Sequence, residues 1–247
     1  MSITTTNNND WHRVGILFAL IISGAFVGRC SIADKNDSAT LLVVRPEAGL
    51  VLRAEASRSS ARLDVVPRGS IVPLIAEGPT ETILEHKGSW YQTRYNAKVG
   101  WIFGGFTWPV AEFKLEGRSF SKGTMGCDPS TYSEYSETQN FDSDAGVEER
   151  YDSAVNLGDE RCAGVHFSTL SGSYIRMPDQ SLQLHFTRLH SGQDLENADC
   201  EKPADTRKKI NLLKQFVPVL CQAPDGSQRQ ALWEKNADAL WVDAQAE

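Results

Sequence analysis

The 247-residue sequence has no dense block of basic residues: 25 Lys and Arg stand against 32 Asp and Glu, a formal net charge of −7. Such a chain lacks the electrostatic footprint that phosphate-backbone binding needs, so nucleic acid is not an expected partner. Long apolar runs are missing too. Val14–Val27 would make about 21 Å of helix, short of the roughly 30 Å hydrocarbon core, and nothing resembles a polytopic membrane protein. Gly-x-Ser-x-Gly is absent, which removes the serine-hydrolase elbow. No two cysteines of the C-terminal half are separated by only two to four residues, so no zinc knuckle is spelled out. The acidic stretch Asp142, Asp144, Glu148 and Glu149 offers no frame for an EF-hand loop and reads as a solvated loop. No metal and no cofactor are expected.

What is present begins with the leader. His12-Arg13, the apolar run Val14–Val27 and the small residues Ser23-Gly24-Ala25 have the layout of a secretory signal, placed in residues 1–30. Cys30 follows the run, where a bacterial lipoprotein carries its lipid-modified cysteine; Arg29 stands where a small residue is usual. The expectation is an exported protein held at the cell envelope by lipidation of Cys30, with residues 31–39 as a linker. Without lipidation it would be periplasmic or secreted. Removing Cys30 leaves four cysteines, Cys127, Cys162, Cys200 and Cys221, an even set suited to two disulfides in an oxidising compartment. Three pairings remain open.

Aromatic residues make up 9% of the chain, yet Trp90, Tyr91, Tyr95, Trp101, Phe103, Phe106 and Trp108 crowd 19 positions. They lie in a region of short β-type runs: Leu41–Arg45, Leu50–Arg53, Leu63–Val66, Ile71–Ala76, Thr82–Glu85, Tyr91–Tyr95 and Val99–Phe103. Gly69, Gly78, Gly88 and Asn96 punctuate them, and Asn96-Ala97 reads as a tight hairpin turn. The pattern predicts a small all-β barrel over residues 40–108. Alternation puts Trp90, Gln92 and Arg94 on one face of their strand and Tyr91, Thr93 and Tyr95 on the other; Trp101 and Phe103 share a face opposite Ile102.

Gly49-Leu50-Val51-Leu52-Arg53-Ala54-Glu55-Ala56-Ser57, then Arg62–Gly69 and Ile71–Leu74, then Trp90-Tyr91 and Gly100-Trp101-Ile102, resemble the successive motifs of bacterial SH3 (SH3b) domains. Order and spacing are kept over about 70 residues, with departures at Ala54, Ala56 and Pro67. The resemblance implies a small barrel that binds a peptide or a cell-wall component such as peptidoglycan. A groove for an extended ligand would be formed by the first loop (Arg53, Glu55) against Trp90, Trp101 and Phe106.

Residues 111–247 match no family pattern and read as a disulfide-stapled, β-rich α+β domain. Gly172–Met177 and Leu182–Leu189 form a hairpin about Pro178-Asp179-Gln180. Pro203 begins a helix in which Ile210, Leu213, Phe216 and Val217 share a face until Pro218 stops it, and a second short helix covers Gln228–Ala237. The whole is expected to be mainly β, an SH3-like barrel followed by this domain.

Cell-wall peptidases often carry SH3b modules, so a Cys–His hydrolase is the rival function. Its nucleophile would be Cys127 and its base His185 or His190. The sequence Gly126-Cys127-Asp128-Pro129-Ser130 does not spell the Asp-Cys-Ser-Gly stretch of those enzymes, and a disulfide is the default for Cys127. His185 and His190, five positions apart, fall on opposite faces of a strand. Arg207-Lys208-Lys209 is a short basic patch on the predicted helix. The leading expectation is therefore a non-enzymatic envelope protein; a surface protein whose SH3b barrel is purely structural is the third reading.

Overall fold

The computed structural model describes residues 40–122, 127, 136–156, 162–197, 199–223 and 225–244. The leader, Cys30 and the 31–39 linker lie outside them.

The first part is built from β1 (Leu41–Val44), β2 (Leu50–Arg53), β3 (Arg62–Val66), β4 (Ile71–Pro73), β5 (Ala76–Ile83), β6 (His86–Tyr95), β7 (Lys98–Phe103) and β8 (Thr107–Pro109). A 3-10 turn, Gly104–Phe106, precedes β8. Two antiparallel sheets result, in the orders β4-β1-β8 and β3-β2-β7-β6-β5. Alternation in β2 buries Leu50 and Leu52, which join Leu42, Val44, Val66, Val72 and Ile102 as the core between the sheets. Tyr91 and Tyr95 pack against it from β6.

The turn between β6 and β7 is Asn96-Ala97, both residues with positive φ (47° and 59°), as a two-residue hairpin matched to strand twist requires. The expected turn is therefore present. A turn at Gly88 is not: the chain reverses earlier, at Leu84-Glu85, and Gly88 lies inside β6. A Cβ at Gly88 would stand 2.4 Å from the backbone nitrogen of Gly105, so the missing side chain serves close packing.

The second part is a closed barrel of eight antiparallel strands: β9 (Ser119–Lys122), β10 (Ser136–Phe141), β11 (Gly146–Asn156), β12 (Ala163–Arg176), β13 (Leu182–Leu195), β14 (Thr206–Gln222), β15 (Gln228–Glu234) and β16 (Ala239–Asp243). Each strand pairs with its neighbour in sequence, and β16 closes on β9 through Trp241–Asp243 against Phe120–Lys122. Phe120, Phe141, Leu182, Leu184, Phe186, Phe216, Leu232 and Trp241 fill its interior. The hairpin about Pro178-Asp179-Gln180 joins β12 to β13 as expected.

The mainly β expectation holds, but the helices do not. Among the described residues there is no α-helix: the segment expected to be helical after Pro203 is β14, and Gln228–Glu234 is β15. Phe216 and Leu220 of β14 face the barrel core, whereas Val217, Val219 and Cys221 lie in a second cluster outside it, with Trp233 and Val43. A strand buried on both faces shows a continuous apolar run rather than alternation, and its apolar residues fall by coincidence at helical spacing. Pro218 is accepted because its carbonyl, not an N–H, is used sideways: it receives the Ala111 N–H at 2.9 Å.

That contact belongs to the joint between the two parts, which pack as one compact unit. Val110 bridges Val219, and Val43, Ile71 and Trp108 of the three-stranded sheet cover Val217 and Trp233 on the outer barrel wall. Trp108 meets Trp233 edge-on at 6.1 Å, and Arg68, over the Trp233 ring, pairs with both Glu47 and Asp238. The chain then enters the barrel end, where Ala111, Phe113 and Leu115 are buried and Arg176 donates to the Phe113 carbonyl at 2.9 Å.

Candidate functional site

The joint uses the three-stranded sheet and leaves the five-stranded sheet to present the predicted binding residues. Arg53 of β2 is directly opposite Trp101 of β7, and Trp101 is opposite Gln92 of β6. Trp101 is half-buried. Gly78 of β5 lies over its ring, so close that a Cβ there would be 2.6 Å from the ring edge. The sequence reads Gly78 as a break between runs; it lies instead inside β5, where the missing side chain permits the close approach.

The first loop is shaped by its own hydrogen bonds. Arg53 Nη1 donates to the Ser60 carbonyl at 2.7 Å, the Glu55 N–H donates to Ser60 Oγ at 2.8 Å, and the Ala54 N–H reaches the Ala61 carbonyl at 2.9 Å. These fix the loop that carries Glu55, which is exposed two residues beyond Arg53. A half-buried indole opposite a fixed cation in the ladder suits a short extended ligand with a free carboxylate.

Trp90 and Phe106 are placed differently. Trp90 is 2% exposed, meets Phe103 edge-on at 5.9 Å, and donates its indole N–H to Glu81 Oε2 at 2.9 Å. Its ring has no face left for a ligand, so its assignment to the groove is corrected to a core role. Phe106 is half-buried between His86 (4.9 Å) and Phe103 (5.4 Å), and closes the same small cluster. Of the five predicted residues, the ladder sets Arg53 directly opposite Trp101, and Glu55 is exposed on the loop that follows Arg53.

Charges nearby are tied down. Lys98 reaches Asp64 Oδ2 and the Leu63 carbonyl, each at 3.0 Å. The Lys98 hydrogen bond holds the Asp64 carboxyl below its usual range. Burial raises the pKa of Tyr91, on the core face, helped by the charge of Glu77.

The hydrolase constellation does not assemble. Cys127 is joined to Cys221 and Cys162 to Cys200, so none of the four is a thiol. The two histidines are not on opposite faces: the ladder slips between Phe186 and Arg188, where the strand bulges, and His185 and His190 both point outward. His185 Nε2 is 2.8 Å from Asn211 Oδ1, and His190 Nε2 is 3.3 Å from Asp205 Oδ2. The acidic stretch divides. Asp142 accepts the N–H groups of Asp144 (2.9 Å) and Gly146 (2.6 Å) in a hairpin turn, while Glu149 turns into the barrel.

A two-sheet barrel of this size, with a Trp-Tyr strand and a Gly-Trp-aliphatic strand paired beneath a basic residue, is an SH3-type module. Residues 48–107 match the family model of the bacterial SH3 domain. No curated protein and no solved structure matches the chain. A bacterial SH3 domain suggests a cell-wall or peptide-binding role.

Proposed function

We propose that the protein is a non-enzymatic, exported envelope protein whose SH3 face binds a short peptide of the cell wall. The observation that supports this reading is the half-buried Trp101, opposite Arg53 on the sheet that the second barrel leaves uncovered. Stem peptides of peptidoglycan carry free carboxylates and amines on an extended backbone. Arg53 would take a carboxylate, Glu55 an amine, and Trp101 the backbone between them. The leader exports the chain, and a lipid on Cys30 would keep it at the membrane.

The test is retention of the mature protein on purified peptidoglycan, compared with Trp101→Ala and Arg53→Ala. Each substitution should cut retention about tenfold, the loss of roughly 1.4 kcal/mol of binding. Retention equal to that of the parent protein would overturn the reading and favour a purely structural SH3 barrel. Localisation is checked separately: Cys30→Ser should release the protein from the membrane fraction, and Arg29→Gly should not.

A further inference from the structure

The outer wall of the second barrel carries a cleft of about 540 Å³ lined by Ser171, Arg188, His190, Arg207, Lys208 and Lys209. The sequence suggested a basic patch on a helix; the strand places it otherwise. Arg188 of β13 lies directly opposite Lys209 of β14, and His190 lies opposite Arg207. Arg207 and Lys209 thus share a face with Arg188, across a strand spacing of about 4.8 Å. Like charges opposite one another in a ladder are destabilising.

Several other basic side chains in this part of the chain have carboxylate partners. Arg118 pairs with Asp243, Lys122 with Glu137, Arg150 with Asp152 and Asp194, Lys214 with Glu149 and Glu234, and Arg229 with Asp225. Arg188, Arg207, Lys208 and Lys209 are exposed, and none makes an ion pair among the described residues. In a chain of net charge −7 with 32 carboxylate side chains, these four stand together without one. Of the acidic groups on this wall, Asp205 is engaged by His190 at 3.3 Å and Lys202 at 3.7 Å, and the exposed Glu148 of β11 lies beyond Ser171, two strands away from Arg188.

We infer that this cleft binds a phosphate group. Several converging cations fit an oxyanion that concentrates two charges on one centre better than a single carboxylate. Arg188 offers a planar fork to two of its oxygens while Lys209 and Arg207 supply point and fork charges from the facing strand. The cleft is larger than one phosphate, which leaves room for the molecule that bears it. That bearer is either a soluble phosphate compound or the headgroup of an anionic lipid, and one experiment separates them.

The mature protein is titrated calorimetrically with sodium pyrophosphate at low ionic strength. In parallel it is sedimented with phosphatidylglycerol-containing and pure phosphatidylcholine vesicles. Pyrophosphate binding indicates a soluble ligand; selective sedimentation with phosphatidylglycerol alone indicates a headgroup; either supports the site. The pairs Arg188→Gln/Lys209→Gln and Arg207→Gln/Lys208→Gln should each weaken the positive arm about tenfold or more. The pair Lys87→Gln/Arg94→Gln, exposed on the SH3 part, removes the same charge and should change nothing. All four cleft side chains are exposed, so folding, checked by circular dichroism, is expected to survive. Binding by neither probe, or an equal loss in the Lys87/Arg94 control, would overturn the proposal. Neither arm depends on the SH3 face, so failure here is distinct from failure of peptidoglycan retention.

Discussion

Lys214 Nζ lies 2.7 Å from Glu149 Oε1 and 3.6 Å from Glu234 Oε1, so one ammonium joins two carboxylates inside the second barrel. Each carboxylate has another donor: Gln139 Nε2 reaches Glu149 at 2.8 Å, and the Trp241 indole N–H reaches Glu234 at 3.2 Å. Lys214→Met would strand two buried acids facing each other. Removing one partner of such a network is expected to cost about 3–5 kcal/mol, read as a fall in the urea midpoint. Adding Glu149→Gln and Glu234→Gln to that variant should recover most of the loss, because no buried charge then remains unpaired.

The same network sets an alkaline limit. Burial alone would lower the Lys214 pKa, but the attraction and hydrogen bonds of Glu149, then Glu234, outweigh it and hold the group above the usual 10.5. A lysine whose folded pKa exceeds its unfolded one contributes its full stabilisation below the unfolded value and loses it as pH rises through the folded one. Stability of the parent protein should therefore fall above about pH 10.5. Unfolding midpoints measured from pH 8 to 12 check this, with a shallower alkaline slope expected for Lys214→Met.

Trp90 and Trp101 stand two residues apart in register on one sheet face, yet predict opposite phenotypes. Trp90→Ala should destabilise the protein by about 3–5 kcal/mol, as for a fully buried aromatic. Trp101→Ala leaves the core of Leu50, Leu52 and Ile102 intact and should move stability by less than about 2 kcal/mol while cutting ligand retention about tenfold. Thermal unfolding beside the retention assay separates the two. A Trp101 variant that loses both together would make it one more core residue.

These residues also show how far the sequence could be read. The first barrel is legible because strands such as β2 alternate buried Leu50 and Leu52 with half-buried neighbours, and its hairpin at Asn96-Ala97 has turn chemistry. The second is not, because its inward positions include the polar Gln139 and the charged Glu149, Lys214 and Glu234, where a barrel strand normally shows an apolar residue. Val217, Val219 and Trp233 err in the other direction: they point outward but are covered by the SH3 part, so the outer wall reads as core. The bulge beside Phe186, which puts His185 and His190 on one side, has no marker in composition at all. Within the SH3 face, alternation grouped Trp90 with Trp101 correctly, but burial divides them, and burial depends on Glu81 and Phe103 closing over one end only.

The two disulfides should differ in weight. Cys127–Cys221 spans 94 residues and Cys162–Cys200 spans 38. Each is expected to contribute about 2–5 kcal/mol, and the longer loop about 0.8 kcal/mol more by closure entropy. The denatured, unreduced protein should show no free thiol from these four cysteines. Paired Cys→Ser substitutions, followed by denaturant unfolding, should order the variants with loss of Cys127–Cys221 as the more damaging. One free thiol per molecule at Cys127 would reopen the nucleophile reading.

The turn between β5 and β6 carries a correctable strain. Leu84 and Glu85 both occupy the left-handed region, at φ 48° and 69°, where a side chain meets its own backbone. Ile83 pairs with His86, so the loop has only these two residues, and the strand twist demands positive φ at both. Leu84 is 78% exposed and offers no packing in return. Asn-Gly is the pair that adopts this geometry at least cost. Leu84→Asn with Glu85→Gly should therefore stabilise the protein by about 1–2 kcal/mol, offset in part by the unfolded-state entropy of the new glycine. Differential scanning calorimetry should show a higher Tm with peptidoglycan retention unchanged, since the turn is separate from Arg53 and Trp101. An unchanged or lower Tm would mean that the native turn holds no such strain.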